Sequence, residues 1–517
     1  MKHTKRRFTA ILLCGLLTLS GCEAQNTAED TSSTDTETAS SGNITVTTVS
    51  TIDTSGVFSD RDLAGTYDES EAIPITLNGD SASCDSSSVV IDGGTVTITA
   101  EGVYLISGTL NDGQIIVNAG DTDKVQLVLS GADITSGTSA AIYALEADKV
   151  FVTLAEGTEN ILTNGGEYIA IDDNNIDAVI FAKTDLTLNG SGSLTIDAQA
   201  GHGVVSKDDL VVTGGNYTIA AASHGLSGKD SIAIADGTFA ITSGKDGIHS
   251  ENSDDLTLGT LYIAGGTYTI TAQGDAISAE GALQIDSGVF DLYTGEGSAS
   301  VDLISSDAGQ MGGGHRGEMG GQTETTATAT EEDSVSQKGI KGESTYAING
   351  GTFTIPYCYE GIEGLSITIE DGVFDITSND DGLNAAGGAD SSGFGGFGAG
   401  TQDTFNTDSD NFITINGGTF TIIASGDCID SNGDLTINGG TLDLTCNGNG
   451  DTALDCDGAY TNNGGDVTTN DGSESNPGQM GGGMGGRAGM EGQTGTTPSG
   501  KPGQSGTMAP GEVTQSP

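Results

Sequence analysis

The side chains best suited to chemistry recur after one type of turn, in which a polar residue precedes Gly and an apolar residue, as in Asp246-Gly247-Ile248. His202 and His224 fill this slot in earlier copies, and acidic residues fill it later. Further polar residues adjoin the slot or follow the apolar residue. The candidate metal ligands are Asp246, Asp275, Glu360, Glu363, Asp380, Asp381, Asn384, Asp427, Asp430 and Asp451.

Carboxylate and amide oxygens in a regular array are typical ligands of calcium. If the copies stack like neighbouring strands, about 4.8 Å apart, adjacent carboxylates repel each other unless a cation lies between them. Calcium binds oxygens at about 2.3–2.6 Å, so oxygens on opposite sides of one ion are separated by about one strand spacing. The pattern therefore predicts Ca²⁺ as the cofactor. The alternative is that Asp only shapes a solvated turn.

A repeat of about 22 residues positions these turns. Its units align on the Gly of segments such as "GTF", at Gly215, Gly237, Gly266, Gly288, Gly351, Gly372, Gly418 and Gly440. Within a unit, apolar and small polar residues alternate, which is typical of strands. Short strands at this period predict an all-β, right-handed parallel β-helix over residues 56–470. Two low-complexity insertions, about 309–337 and 387–410, are expected to be flexible.

Aromatic residues occupy one position of the repeat, two residues after the aligned Gly. They share the parity of the isoleucines, so they are expected to stack in the core. An exposed aromatic surface for sugars would need the opposite parity. The column is Tyr217, Phe239, Tyr268, Phe290, Phe353, Phe374 and Phe420.

The composition limits the possible partners. The 517 residues include 73 acidic and 16 basic residues, for a net charge of −57. Such a chain repels nucleic acid and anionic lipid and attracts divalent cations. Five cysteines beyond Cys22 are an odd number without zinc-site spacing, which favours small buried residues. We expect a monomer.

The N-terminus has the features of a bacterial lipoprotein leader. Residues 1–22 join a basic start to an apolar run and end in "LSGC", and the run is too short to span a bilayer. Lipidation of Cys22 is therefore expected. Residues 23–55 would form a flexible tether, and 471–517 a disordered Gly- and Met-rich tail. The protein is predicted to be extracytoplasmic and anchored to the cell membrane.

Long stretches of the chain resemble the secreted carbohydrate-binding domain-containing β-helix lipoproteins. The resemblance covers about 57–470 and includes "FSDRDLAGTYDE" and "HGVVSKDDLVVTGGNYTIAAASHGLSGKD". It implies a right-handed parallel β-helix, calcium, and polygalacturonate or cellulose as ligand. The family's calcium positions resemble those of β-helical pectate lyases, and they fall on the Asp-Gly-Ile slots. His202 and His224 depart from that pattern.

Three functions are compatible with the sequence. The first is a non-catalytic surface protein that binds an acidic polysaccharide through calcium. The second is a polysaccharide lyase, which needs a base at the sugar C5. No Lys or Arg lies between Lys341 and Arg487, so the base would be Lys229, Lys245 or His249. The third is a structural or adhesive protein without a sugar ligand.

Overall fold

The computed structural model describes residues 52–252, 255, 257–295, 337–385, 411–448 and 450–477. Within these residues, three short strands form one rung, meaning one full turn of the solenoid. Each strand pairs in parallel with its equivalent in the next rung, as Asn216 does with Thr238, 22 positions later. The parallel β-helix with rungs of about 22 residues is therefore confirmed.

The strands form three sheets. The first contains Glu159–Asn164, Ser193–Ala198, Asn216–Ala221, Thr238–Ser243, Thr267–Ala272, Val289–Thr294, Thr352–Cys358, Val373–Ser378, Thr419–Ala424, Thr441–Cys446 and Asp466–Thr469. The second contains Thr95–Ile98, Gln114–Asn118, Ile142–Glu146, Ala178–Ala182, His202–Ser206, Leu226–Gly228, Ile248–Ser250, Ile277–Ala279, Leu383–Ala385, Ile429–Ser431 and Leu454–Cys456. The third contains Lys149–Leu154, Asp185–Gly190, Asp209–Val212, Ser231–Ile234, Thr260–Ile263, Leu283–Ile285, Phe412–Ile415, Asp434–Ile437 and Tyr460–Asn462.

Five longer strands each take part in two sheets: Ile73–Gly79, Gly102–Leu110, Lys124–Ser136, Ile340–Ile348 and Ile362–Ile369. Two short antiparallel partners, Ala82–Ser83 and Val89–Asp92, lie at the N-terminal end. The helices are the five-residue Asp60–Ala64 and the 3₁₀ turn Ser473–Ser475. In the part of the chain that the structure describes, no helix is long and apolar enough to cross a membrane.

The core consists of stacked columns of like residues. The predicted aromatic column is confirmed: its seven rings are buried, and neighbouring centroids lie 4.5–5.2 Å apart. All five cysteines of the described chain are free thiols. Cys358, Cys428 and Cys446 are buried as predicted, whereas Cys84 and Cys456 are only half-buried because they lie near the two ends of the stack.

A segment near the N-terminus crosses the outer surface of the third sheet. Its helix, Asp60–Ala64, begins with a capping box and buries Asp62, whose carboxylate lies 2.8 Å from the Lys149 ammonium. Phe58 lies against Tyr262, with ring centroids 5.9 Å apart. Because Lys149 and Tyr262 belong to rungs far apart in the stack, the segment runs along the solenoid axis. It covers part of the outer face of the third sheet.

The predicted leader, nearly all of the tether and most of the tail lie outside the described residues. The same holds for both predicted insertions, apart from Gln337.

Candidate functional site

The predicted slot residues form one column where the first sheet turns into the second. In each rung the slot lies two positions before an apolar residue that pairs with its equivalents, as Leu226 pairs with Ile248. The slot column is His202, His224, Asp246, Asp275, Lys338, Glu360, Asp381, Asp427 and Thr452. The residues just after the apolar position form a neighbour column: Ser227, His249, Ser278, Lys341, Glu363, Asn384, Asp430 and Asp455.

A ladder of hydrogen bonds links successive slots. The backbone N–H of Asp275 donates to Oδ1 of Asp246 at 2.8 Å, and that of Asp427 donates to Oδ1 of Asp381 at 2.7 Å. The histidines act in the same way, because the Asp246 N–H donates to Nδ1 of His224 at 3.2 Å. The slot side chain thus accepts a hydrogen bond from the backbone of the next rung. This role explains the preference for Asp and His in the slot better than turn formation alone does. One oxygen of each such carboxylate remains for another partner.

At the early end of the column, the carboxylates have a cationic partner within the chain. Oδ2 of Asp246 lies 2.8 Å from Nδ1 of His249, and Nε2 of His249 lies 2.9 Å from Glu251. Burial opposes the charge on Asp246, but the adjacent His249 cation outweighs it and lowers the pKa of its carboxyl. Burial also opposes the charge on His249, but Asp246 and Glu251 raise its pKa to about 9. At neutral pH His249 is therefore a cation between two carboxylates.

The early histidines are poor metal ligands, although atoms of His224, Asp246 and His249 all lie within 4.8 Å of one another. A backbone N–H can only donate, so Nδ1 of His224 must be the acceptor, and the ring proton is on Nε2. Burial lowers the pKa of His224, which keeps this ring neutral. Since His249 uses both nitrogens on carboxylates, neither ring has a free lone pair.

In the middle of the column, Lys338 fills a slot that the sequence analysis did not assign. Its ammonium is buried and lies 3.1 Å from Glu360 and 2.7 Å from Glu363. Burial raises the pKa of Glu360, and Lys338 offsets part of that effect. Two predicted metal ligands, Glu360 and Glu363, are thus already paired with a cation of the chain. Lys338 directly follows the low-complexity insertion, which concealed its place in the repeat.

At the late end, the acidic groups lie close together. Carboxylate oxygens of Asp427, Asp430 and Asp455 are within 4.8 Å of one another. Burial, followed by repulsion from neighbouring carboxylates, raises the pKa of Asp430 and also that of Asp381. Burial and the carboxylates of Asp455 and Asp451 raise the pKa of Asp427 to about 7. The sequence has no Lys, Arg or His between residues 342 and 486 to balance these charges.

The late end fits calcium in its donor set, because it offers only oxygens of Asp and Asn. Oδ1 of Asn384 is buried without a hydrogen-bond partner, next to Asp430 in the neighbour column. The carboxylates of Asp380 and Asp381 lie against Gly426, where a Cβ atom would collide with both. Asp451 adjoins the slot of the next rung. Asp455, which was not among the predicted ligands, directly follows the apolar Leu454 and so lies in the neighbour column.

A second acidic cluster lies where the second sheet turns into the third. Oxygens of Asp185, Asp208 and Asp209 are within 4.8 Å of one another. Burial and then the nearby aspartates raise the pKa of Asp208 to about 7. The sequence signal for this cluster is the recurrence of Lys-x-Asp at Lys183–Asp185 and Lys207–Asp209. One of them, Lys207, lies over the ring of Phe181.

The stacked rungs and the column of polar side chains define a parallel β-helix with a candidate cation site. A family model for the carbohydrate-binding domain-containing protein matches residues 92–382 and 395–483. The chain belongs to this family.

Two relatives show the extent of the similarity. A carbohydrate-binding domain-containing protein of Acetivibrio thermocellus is 44% identical over 128 residues, which is 24% of this chain and 45% of the relative. The match thus spans less than half of that relative's length. A solved structure described as a polysaccharide lyase-like protein from C. thermocellum is 37% identical and has a TM-score of 0.42. It covers 43% of this chain and 92% of its own.

Proposed function

We propose that this protein binds an acidic polysaccharide, such as polygalacturonate, without catalysis and through calcium. Membership of the carbohydrate-binding family supports the sugar ligand. The observation that carries the calcium dependence is the late end of the slot column, where Asp427, Asp430 and Asp455 meet and no Lys, Arg or His among the described residues forms an ion pair with them.

The residues that would hold the ion are Asp381, Asp427, Asp430, Asp455 and Asn384. A bound Ca²⁺ would supply positive charge and free coordination positions for sugar oxygens. This resolves a conflict of charge, because a chain with a net charge of −57 repels a polyuronate. The early slots need no such ion, since Asp246 is paired with His249 and the charge of Asp275 acts on Lys341, whose pKa it raises.

The non-catalytic assignment is supported by the surroundings of His249, one of the three candidate bases, and of the slot residue Lys338. A lyase base must hold a free lone pair within reach of the sugar. His249 uses both nitrogens on Asp246 and Glu251, and Lys338 is buried between two glutamates. Incubating the protein with polygalacturonate and following the absorbance of unsaturated uronate tests this point. Steady product formation would make the protein a lyase.

Attachment to the cell surface is the second part of the proposal and depends on the leader. Lipidation at Cys22 would hold the β-helix outside the membrane, where polysaccharide is present. We expect Cys22→Ala to move the protein from the membrane fraction to the medium. Equal membrane retention of the variant and the wild type would remove this part of the proposal.

A polysaccharide depletion assay tests the proposed function. Wild-type protein, first stripped with a chelator, is mixed with polygalacturonate or cellulose in the presence and absence of calcium. We expect strong, calcium-dependent binding of polygalacturonate and weaker binding of cellulose. The double variant Asp427→Asn/Asp430→Asn should lose the calcium-dependent part. The exposed Asp236→Asn is the matched control and should bind normally. Binding that a chelator leaves unchanged would contradict the proposal.

A further inference from the structure

The outer face of the first sheet differs from the outer faces of the other two. In strands such as Thr238–Ser243 and Thr419–Ala424, buried and exposed residues alternate strictly. Strands of the third sheet, such as Asp209–Val212 and Leu283–Ile285, are buried on both faces over most of their length. The first sheet therefore stays open in rungs where the third sheet is covered, although the third sheet opens at the late end, as in Asp434–Ile437. Most outward residues of the first sheet are threonines and other small residues.

Two outward-facing tyrosines interrupt this surface of small side chains. Tyr293 and Tyr357 are register partners on consecutive rungs, and their ring centroids lie 6.1 Å apart with planes inclined by 27°. Tyr357 is 42% exposed. Tyr293 has the parity opposite to that of the core residue Phe290, as an exposed aromatic surface requires, whereas Tyr357 shares the parity of Phe353 and faces outward only because the register shifts between them.

An irregularity in one strand produces this pair. Thr352–Cys358 has seven residues, whereas its neighbours Val289–Thr294 and Val373–Ser378 have six. The register shifts around Pro356, which leaves Tyr357 outside and Cys358 buried. Proline suits a bulge because it has no N–H to donate to the sheet. Bulges of this kind re-aim side chains and are common beside functional sites.

We propose that Tyr293 and Tyr357 form a stacking platform for the pyranose rings of the bound polysaccharide. The inference rests on the proposed function. Tyrosine offers a flat apolar face and a hydroxyl for hydrogen bonding, a combination that suits a sugar ring, and it is frequent among residues that dominate binding energy. Membership of the carbohydrate-binding family makes a polysaccharide the expected occupant.

The platform is continuous with the proposed calcium site. Tyr357 lies three residues before Glu360, at the edge where first-sheet strands enter the slot column. Asp427 occupies the slot two rungs after Glu360, about 10 Å along the axis at about 4.8 Å per rung. A polymer that runs parallel to the axis can therefore contact the tyrosines and the calcium site together. The same ligand would be held by stacking at one point and by a cation at another.

Binding to polygalacturonate with calcium tests the platform. We expect Tyr293→Ala/Tyr357→Ala to bind about tenfold more weakly, the loss typical of truncating an aromatic residue in a binding site. Tyr293→Phe/Tyr357→Phe should stay within about twofold of wild type, because stacking needs the ring. The control Val289→Ala/Val373→Ala changes two exposed residues on the same face and adjoining rungs and should bind normally.

The outcomes separate the two proposals. If the alanine pair binds like wild type while Asp427→Asn/Asp430→Asn loses binding, the platform is wrong and the calcium-dependent function stands. If the wild type binds neither polygalacturonate nor cellulose, both proposals fail. If the valine control weakens binding as much as the alanine pair does, the effect comes from lost apolar contact area on this face and not from stacking. In that case the platform is also wrong.

Discussion

The two ends of the slot column have the same backbone geometry but opposite charge balance. At the early end, Asp246 lies between a ladder hydrogen bond and the His249 cation. At the late end, Asp381 and Asp427 make the same ladder bonds, but their neighbours in space are Asp430 and Asp455. The hydrogen-bond ladder alone is therefore enough to account for an Asp in the slot. A metal is implied only where charge stays unbalanced.

The middle of the column provides the strongest test of charge balance. Lys338→Met would leave Glu360 and Glu363 buried without their cation, so we expect the free energy of unfolding to fall by about 3–5 kcal/mol. Chemical denaturation at pH 7 measures this loss. The triple variant that adds Glu360→Gln and Glu363→Gln should recover most of it. A triple variant as unstable as Lys338→Met would show that packing, not charge, is the cause.

Isosteric substitutions at the two ends should change stability in opposite directions when calcium is absent. Asp246→Asn removes the partner of His249 and should cost about 1–3 kcal/mol. Asp427→Asn/Asp430→Asn removes the repulsion between carboxylates, while Oδ1 of residue 427 can still accept a hydrogen bond from the Thr452 N–H. The double variant should therefore melt at a higher temperature than the wild type at pH 8. Melting curves in a chelator measure both. A loss of stability at both ends would contradict the comparison.

The calcium-free protein should lose stability as the pH rises from about 4 to 7. The pKa of Asp427 is raised to about 7, and those of Asp381 and Asp430 are also raised, so the folded state binds more protons than the unfolded state in this window. The free energy of unfolding therefore falls as these protons are lost. Bound calcium should make the free energy of unfolding depend less on pH, because the ion takes the place of the protons. A melting temperature that rises over this range without calcium would be inconsistent with the charge balance described.

The smallest effect is expected from His249. Its pKa is raised in the folded state to about 9, so its stabilisation is complete below about pH 6.5 and is lost as the pH rises through 9. His249→Gln should remove this dependence and cost on the order of 1 kcal/mol at pH 6. Melting curves of the two proteins between pH 6 and 10 provide the measurement. If the melting temperatures of the two proteins change with pH in the same way, His249 is not charged in the folded protein.

Much of the fold follows from the repeat. The parity of Phe239 and Ile241 predicts the buried face, and the spacing of the Asp-Gly-Ile turns predicts that slots stack. Both features depend on local periodicity, which a single sequence displays.

Interruptions of the periodicity could not be predicted in the same way. Lys338 follows an insertion that hides its rung, and the extra residue Pro356 reverses the expected exposure of Tyr357. The burial of Asp62 against Lys149 joins parts of the chain that share no pattern. Which carboxylates have a cationic partner depends on such contacts, so the sequence alone could not distinguish the two ends of the column.

Calorimetric titration of chelator-stripped protein with calcium at pH 7.5 tests the central claim most directly. We expect saturable binding by the wild type and by Asp246→Asn, and loss of that binding in Asp427→Asn/Asp430→Asn. Binding of equal strength by all three proteins, or no binding by the wild type, would contradict a calcium site at the late end of the column.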